Sequence, residues 1–396
     1  MRRALRHTTA FALTLLAIEF LDELIFGARE AAWPLVRDDL GLTYVQVGVL
    51  LGVPSLFSSA VEPFIGILGD VWRRRALILG GGALFALALL LSGLSHHYLL
   101  LLGSFVLMYP ASGAFVTLSQ ATLMDLDSAR HEQNMARWTL AGSLGDVLGP
   151  LALGGAVLVG LGWRGLYAVF AALALVGLAA AFRFVRPACG AAASVQRRLH
   201  AALREGLAGA LRALGRRAVL RWLMLLQLGD MMMDILLGFL ALYLVDVAAA
   251  TPAQAGLAVL VRTVVGVVGD LMMLPLLERV PGLPYVRWSA AVQLGLFAAF
   301  LLAPAFPIKL VLLALLTLAT SGWYAILQAQ LYGALPGRSG TVMTVTNLFG
   351  LVGGLIPLGL GLVAERLSLT AAMWLLTLGP LALIVGLPRR EQGPAE

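Results

Sequence analysis

The sequence predicts an all-α membrane protein of twelve transmembrane helices in two pseudo-symmetric six-helix bundles. Three observations predict it. Of 396 residues, 60% are hydrophobic and 12% charged, whereas an ordinary soluble domain is about 25% charged. Apolar runs of about 20 residues, the length that crosses a bilayer, recur from end to end. The basic residues between those runs are dense in every second loop and sparse in the others.

Spans are expected at 9–34, 44–68, 76–95, 98–125, 134–161, 164–186, 219–246, 255–277, 287–304, 308–333, 340–364 and 370–387. The start, MRRALRHTTAFALTLLAI, has the basic head and apolar run of a secretory signal but no small-residue cleavage site before the acids that follow. It is therefore read as a retained first span. Of the 28 Lys and Arg, 22 fall on the side of the N-terminus, including Arg2, Arg3, Arg6, Arg73, Arg74, Arg75 and nine arginines from Arg183 to Arg221. The other side receives Arg37, Arg164, Lys309 and Arg366. The positive-inside rule then places both termini in the cytoplasm, and the expected compartment is a prokaryotic inner membrane. These loop arginines meeting a lipid surface account for the net charge of +7 without a nucleic-acid partner. A lone cysteine, Cys189, excludes an internal disulfide and a cysteine-based metal cluster.

The domain plan is a bundle over 1–186, a linker over 187–218 and a second bundle over 219–396. Leu199, Leu203, Leu207, Leu211 and Leu214 keep a helical stripe in the linker, as in an amphipathic helix on the inner leaflet. The two bundles align. Setting Gly48 on Gly256 puts Glu62 opposite Asp270, and setting Gly27 on Gly238 puts Glu23 opposite Asp234 and Glu19 opposite Asp230. Ala111-Ser112-Gly113 matches Thr320-Ser321-Gly322. A duplicated six-helix unit is the architecture that binds small molecules near the midplane and alternates access by rocking.

The first span is the anomaly. Glu19, Asp22, Glu23, Arg29 and Glu30 fall within an arc of roughly 120° on one helix face, which leaves the opposite face for lipid. Intramembrane ionisable residues are costly and are read as functional. In the seventh span Gln227, Asp230 and Asp234 are spaced i, i+3, i+7 on one face. Nine acids lie within spans: Glu19, Asp22, Glu23, Glu30, Glu62, Asp146, Asp230, Asp234 and Asp270. Arg29 and Arg262 are the basic residues there. Such an excess must be protonated, paired or wetted, which is the condition proton coupling needs. Glu19 and Glu23 are the first candidates. Several readings stay open: Asp22 with Arg29 as a fixed pair, Arg262 as the partner of Asp270 or Glu62, Asp146 as a brace beside a kink. Trp33, Trp72, Trp163 and Trp288 are expected at the membrane interface, and Trp323 and Tyr324 deeper.

Between spans two and three the chain reads GILGDVWRRRAL, Gly66 to Leu77. An acid at a helix end beside arginines makes charge-assisted contacts that exist in only one of two packings. This stretch resembles the signature loop of the major facilitator superfamily, with Gly66, Leu68, Asp70, Arg74 and Arg75 at the matching positions and Val71 and Arg73 departing from the pattern. The resemblance implies that superfamily's fold and a conformational latch in which Asp70, Arg74 and Arg75 grip the partner half. In span five GSLGDVLGPLALGG is similar to the Gly-Pro-rich motif of the superfamily's antiporters. Its glycines allow close helix approach and Pro150 removes one donor, so Gly145, Gly149 and Pro150 are expected at a tightly packed, bending place. LGLTYVQVGVLLGV, GSLGDVLGPL and ALPGRSGTVMTVTNLFG resemble the fosmidomycin-resistance branch of drug exporters. The His–Pro–Glu stretch of that branch is replaced here by FVTLSQATLMD, so its substrate is not carried over.

The function expected is a proton-coupled secondary transporter working by alternating access as a monomer, exporting small amphipathic or cationic compounds. The alternatives are an importer of a small nutrient, a metal-cation carrier, a membrane protein with no transport role and an intramembrane enzyme. Neither cofactor nor resident metal is expected, since all five histidines fall in or beside loops and no nucleotide-binding loop is present.

Overall fold

Every regular element of the computed structural model is helical among the residues it describes, which are 2–71, 74–124, 131–185, 208–209, 211–277, 279–335 and 339–388. Twelve rods follow one another. They are α1 (Arg2–Leu40), α2 (Tyr44–Val71), α3 (Arg74–Gly93) and α4, built from Tyr98–Ser112, a π-helical turn Gly113–Thr117 and Leu118–Met124. Next come α5 (His131–Leu158), α6 (Gly162–Phe184) and α7, in which Met231–Ile235 is a π-helical turn between Arg217–Asp230 and Leu236–Asp246. The last are α8 (Pro252–Leu277), α9 (Gly282–Leu302), α10 (Phe306–Thr320 and Trp323–Ala334), α11 (Ser339–Gly353 and Leu355–Arg366) and α12 (Leu369–Leu375 and Leu378–Gly386). Eleven of the rods hold a stretch long and apolar enough to cross a membrane. The exception is α1, which carries the five ionisable residues between Ala17 and Trp33.

The chain divides into two compact units, Met1–Leu42 with Val49–Leu207 and Thr43–Gly48 with Ala208–Glu396. Most of the expected linker, 186–207 and residue 210, lies outside the described residues, and 211–214 are helical.

In unit 1, α1 runs along α5 and α6, and α3 packs on α4 and α6. The expectation of a lipid-facing side on α1 holds only near its inner end, where Leu13 is 59% exposed and Ala17 is exposed, and is corrected for the rest of the helix. Leu15, Ile18, Leu21, Leu24, Ile25 and Ala28 on its apolar faces are as buried as Glu19, Asp22, Arg29 and Glu30. A helix apolar on the faces left by its charges is satisfied at the centre of a bundle, where neighbours cover every side. The outer end is fastened by polar bonds. Arg164 pairs with Asp39 and donates from Nε to the Ser95 carbonyl at 2.8 Å, and the Trp163 indole donates to Asp39 Oδ2 at 2.8 Å. Trp33 and Trp163 are therefore buried hydrogen-bond donors and not belt residues, while Trp288 is 74% exposed as expected.

In unit 2, α7 takes the central place, packed on α10 and α12. Lys309, expected in an outer loop, is 4% exposed. Its Nζ donates to the carbonyls of Phe300 and Leu301 at 2.6 and 3.3 Å and to the Tyr243 hydroxyl at 3.0 Å. An ammonium can sit there because the last carbonyls of α9 have no intrahelical donors and carry the negative end of the helix dipole.

Candidate functional site

The polar face of α1 meets α4 and α5 inside unit 1. Glu19 accepts a hydrogen bond from the Trp138 side chain of α5, and Glu23, Asp22 and Asp146 all stand near enough to repel its charge. Asp22 accepts from Ser112 Oγ of α4 at 2.8 Å. Glu23 and Asp146 are half-buried. Four carboxyl groups from two helices thus converge on one region.

Arg29 does not neutralise that region by contact. It forms an ion pair with Glu30, donates to the Tyr109 hydroxyl, and lies 4.5 Å from the centre of the Phe26 ring. Trp33 Nε1 donates to the other Glu30 oxygen at 3.3 Å. The fixed Asp22–Arg29 pair is therefore replaced by an Arg29–Glu30 pair. Adjacent residues reach each other here because Tyr109, Phe26 and Trp33 wall them together, and a buried pair needs such bonds to offset its desolvation.

The glycines of α5 make this convergence possible. Built as alanine, Gly142 would put its Cβ 2.8 Å from Glu19 Oε1 and 3.3 Å from Glu23 Cγ. Gly145 would meet Leu24 N at 2.8 Å, and Gly149 would meet Gly27 C at 2.6 Å. From the other side Gly27 would meet the Asp146 carbonyl oxygen at 2.6 Å. The stripe lets two backbones touch, the use that small residues have between membrane helices. Pro150 is buried, and α5 passes through it as a single helix.

In unit 2 the expected face of α7 is altered by the π turn. Asp230 accepts a hydrogen bond from the backbone N–H of Asp234, so its carboxylate competes for a donor that an α-helix would give to the Asp230 carbonyl. The Leu236 N–H reaches back to the Met231 carbonyl, and Arg262 Nη2 of α8 donates to the carbonyls of Met232, at 3.4 Å, and Met233. The freed backbone is thereby satisfied. The acid beside Arg262 is Asp230, not Asp270 or Glu62 as the sequence reading allowed. Gln227 is half-buried against Gly353, where any side chain would collide with it. Asp234 is exposed, rotated from the simple i, i+7 register by the extra residue of the turn.

Trp323 and Tyr324 are expected deep in a span, and Gln293 is a further polar group there. Tyr324 lies within electrostatic reach of both Asp230 and Asp234. Trp323 is buried and donates to Ser289 Oγ at 2.7 Å, a core role. Gln293, 0% exposed, donates from Nε2 to Met232 Sδ at 3.4 Å, and its Oε1 has no partner among the described residues. Ser112, Tyr109 and Trp138 were missed because a lone hydroxyl or indole in an apolar run gives no signal until the facing acid is known.

Of the latch residues, the side chains of Gly66 and Asp70 lie outside the described residues. Arg74 is half-buried. Arg75 donates from Nη2 to the Phe182 carbonyl at 2.7 Å, with its guanidinium 5.2 Å from the ring of Phe182. It thus binds the end of α6 in its own unit. No group of three or more His, Cys, Asp or Glu side chains with metal-site geometry occurs among the described residues.

Residues 15–358 match the profile of the Major Facilitator Superfamily. A chloramphenicol resistance protein of Pseudomonas aeruginosa is 29% identical over 182 residues, covering 45% of this chain and 43% of that protein. The multidrug resistance protein MdtG of Salmonella paratyphi A is 28% identical over 177 residues, covering 42% of each. The matched stretch thus spans less than half the length of these relatives. The crystal structure of the nucleoside transporter NupG superposes with a TM-score of 0.76 at 16% identity, over 94% of this chain and 98% of that one. At that identity the likeness concerns the fold.

Proposed function

The chain belongs to the major facilitator superfamily, and from that premise we propose that it is a proton-coupled exporter of small amphipathic or cationic compounds working by alternating access. One observation carries the reading. Glu19, Asp22, Glu23 and Asp146 converge inside unit 1, and Arg29, which attracts Asp22 without touching it, is ion-paired with Glu30. A cluster of four carboxyls favours a proton or a cation over an anion, and it changes charge when either one binds. The names of the relatives, which speak of chloramphenicol and multidrug resistance, support the efflux direction. We assign proton handling to Glu19, Glu23, Asp22 and Asp230, with Asp234, Asp146, Gln227 and Arg262 shaping the polar lining and Arg29 holding the outer part of α1. Asp70 and Arg74 are assigned the latch. The orientation read from the loop arginines, with both termini cytoplasmic in an inner membrane, belongs to the same proposal.

The test uses the purified protein in proteoliposomes with an imposed pH gradient and a panel of cationic drugs. Drug-dependent proton movement is expected in the wild type and lost in the combined Glu19→Gln, Glu23→Gln, Asp230→Asn variant. Proton movement that survives all three changes refutes the assignment. A panel in which only anions raise the thermal stability of the folded protein refutes the substrate class.

A further inference from the structure

The two units share a construction that involves none of the acids above. In unit 1 the α-helical part of α4 ends at Ser112, and the π turn begins at Gly113. In unit 2 the first part of α10 ends at Thr320, and Gly322 sits at φ +77°, a left-handed conformation. These are the positions that the repeat alignment places opposite each other. At each break stands an acid from the neighbouring rod. Glu62 of α2 lies against Gly113, whose added Cβ would stand 3.1 Å from Glu62 Cγ and Oε1. Asp270 of α8 accepts a hydrogen bond from the backbone N–H of Gly322. Glu62 and Asp270 each stand eighteen residues beyond the first residue of their helix, Tyr44 and Pro252, so roughly 27 Å along it in both cases. A carboxyl at the same depth thus meets an irregular turn of the adjacent rod in each unit, a π turn within a continuous helix at Gly113 and a left-handed break at Gly322, and a contact of chance would not recur at repeat-related positions.

The hydrogen-bond donors at both acids suit a carboxylate as a brace. Glu62 accepts from Ser58 Oγ at 2.6 Å, and Asp270 accepts from an amide that the break leaves without its helical acceptor. A carboxylate only accepts, so both donors suit it, whereas a protonated carboxyl brings a donor of its own and weaker acceptor oxygens. The titratable groups facing Glu62 and Asp270 are Asp22 across the α4 break and Tyr285 of α9, whose hydroxyl donates to the Ser321 carbonyl at 3.1 Å.

We propose that Glu62 and Asp270 are a repeat-related pair of proton-accepting positioning groups, each bracing the helix break of the adjacent rod, and that a proton taken up at either one loosens its break. The proposal rests on the proton-coupled reading and adds to it a site in each unit where the proton acts on the helices themselves.

The experiment is hydrogen–deuterium exchange of the full-length protein in detergent or nanodiscs, followed in peptides covering 109–118 and 318–327 and corrected for intrinsic rates across pH. In the wild type, exchange at both breaks should rise as pH falls. Asp270→Asn should raise exchange in 318–327 alone, by roughly tenfold at high pH, as loss of a charge-assisted hydrogen bond implies, and Glu62→Gln should raise it in 109–118 alone and by less, since Glu62 lies against Gly113 but is hydrogen-bonded to Ser58. In each variant the pH dependence at that break should vanish. Asp270→Glu and Glu62→Asp should restore it, which a merely structural contact would not require. Break exchange that is flat with pH in the wild type, or unchanged in both variants, overturns the proposal even if substrate moves protons. If the wild type moves no protons with substrate while exchange still tracks Glu62 and Asp270, the coupling reading fails and the proton-responsive brace stands.

Discussion

The glycine stripe on α5 can be tested one position at a time, because the neighbours of each glycine differ in what they can give way to. An alanine at Gly149 puts its Cβ 2.6 Å from Gly27 C and 2.8 Å from Gly27 Cα, backbone atoms of a buried helix. Neither helix can yield without moving as a rod, so Gly149→Ala should cost about 1–3 kcal/mol, the usual range for overpacking a close-packed contact. Gly142→Ala instead meets the end of the Glu19 side chain at 2.8 Å. That end can rotate away, so the stability cost should stay below about 1 kcal/mol, while the carboxylate leaves the Trp138 indole. Gly154→Ala has nothing within 4 Å and serves as the neutral control. The assay is thermal unfolding of the three variants in one detergent, paired with drug-dependent proton movement in proteoliposomes. The expected result separates the readouts: Gly149→Ala unfolds earlier, Gly142→Ala unfolds like the control but transports poorly. If Gly149→Ala matches Gly154→Ala in stability, the backbone contact between α1 and α5 is not as close as described and the reasoning fails.

Other expectations follow from single contacts. Arg29→Met alone should destabilise by about 3–5 kcal/mol, since it leaves Glu30 buried without a countercharge, and adding Glu30→Gln should recover most of the loss in thermal unfolding. Lys309→Met should lower stability by about 1–3 kcal/mol, because the Phe300 carbonyl and the Tyr243 hydroxyl lose their donor. Arg262→Ala should leave the Met232 and Met233 carbonyls unsatisfied and raise amide exchange confined to 230–237.

Much of this fold is legible in the sequence for a simple reason. Bilayer thickness sets span length, and the charge of the loops sets the count, so the ends of α2, α3 and α8 fall within a few residues of their expected places. The acids of α1 were visible because charge inside an apolar run is expensive. What stayed hidden was the direction in which side chains point once helices cross. Arg29 chose the adjacent Glu30 over Asp22 because Tyr109, eighty residues away, closes the pocket. The π turn in α7 leaves no composition signal; it follows from Asp230 taking the Asp234 amide and Arg262 covering the carbonyls that result. Lys309 looks like a loop residue by position, and only the end of α9 explains its burial. The matched breaks at Gly113 and Gly322 lay half in view, as an alignment of small residues whose backbone consequence needed the structure.

The two acidic faces are related by duplication, yet their acids are held differently. In unit 1 the acids repel one another and their best partners are neutral: Ser112 for Asp22, Trp138 for Glu19. In unit 2 Asp234 repels Asp230, which has a backbone amide bonded to it and the charge of Arg262 beside it. The cost of gathering acids for function is therefore expected to weigh more on unit 1, where more of them meet. Glu19→Gln keeps the shape and removes one of four clustered carboxyls, so it should unfold no earlier than the wild type while losing proton movement. Asp230→Asn removes the countercharge of Arg262 and should unfold earlier, by about 1–3 kcal/mol. Both are read in the same denaturation series. Should Glu19→Gln prove the less stable of the two, the carboxyls of unit 1 do not repel one another as described, and the argument for a proton-binding group in that unit falls.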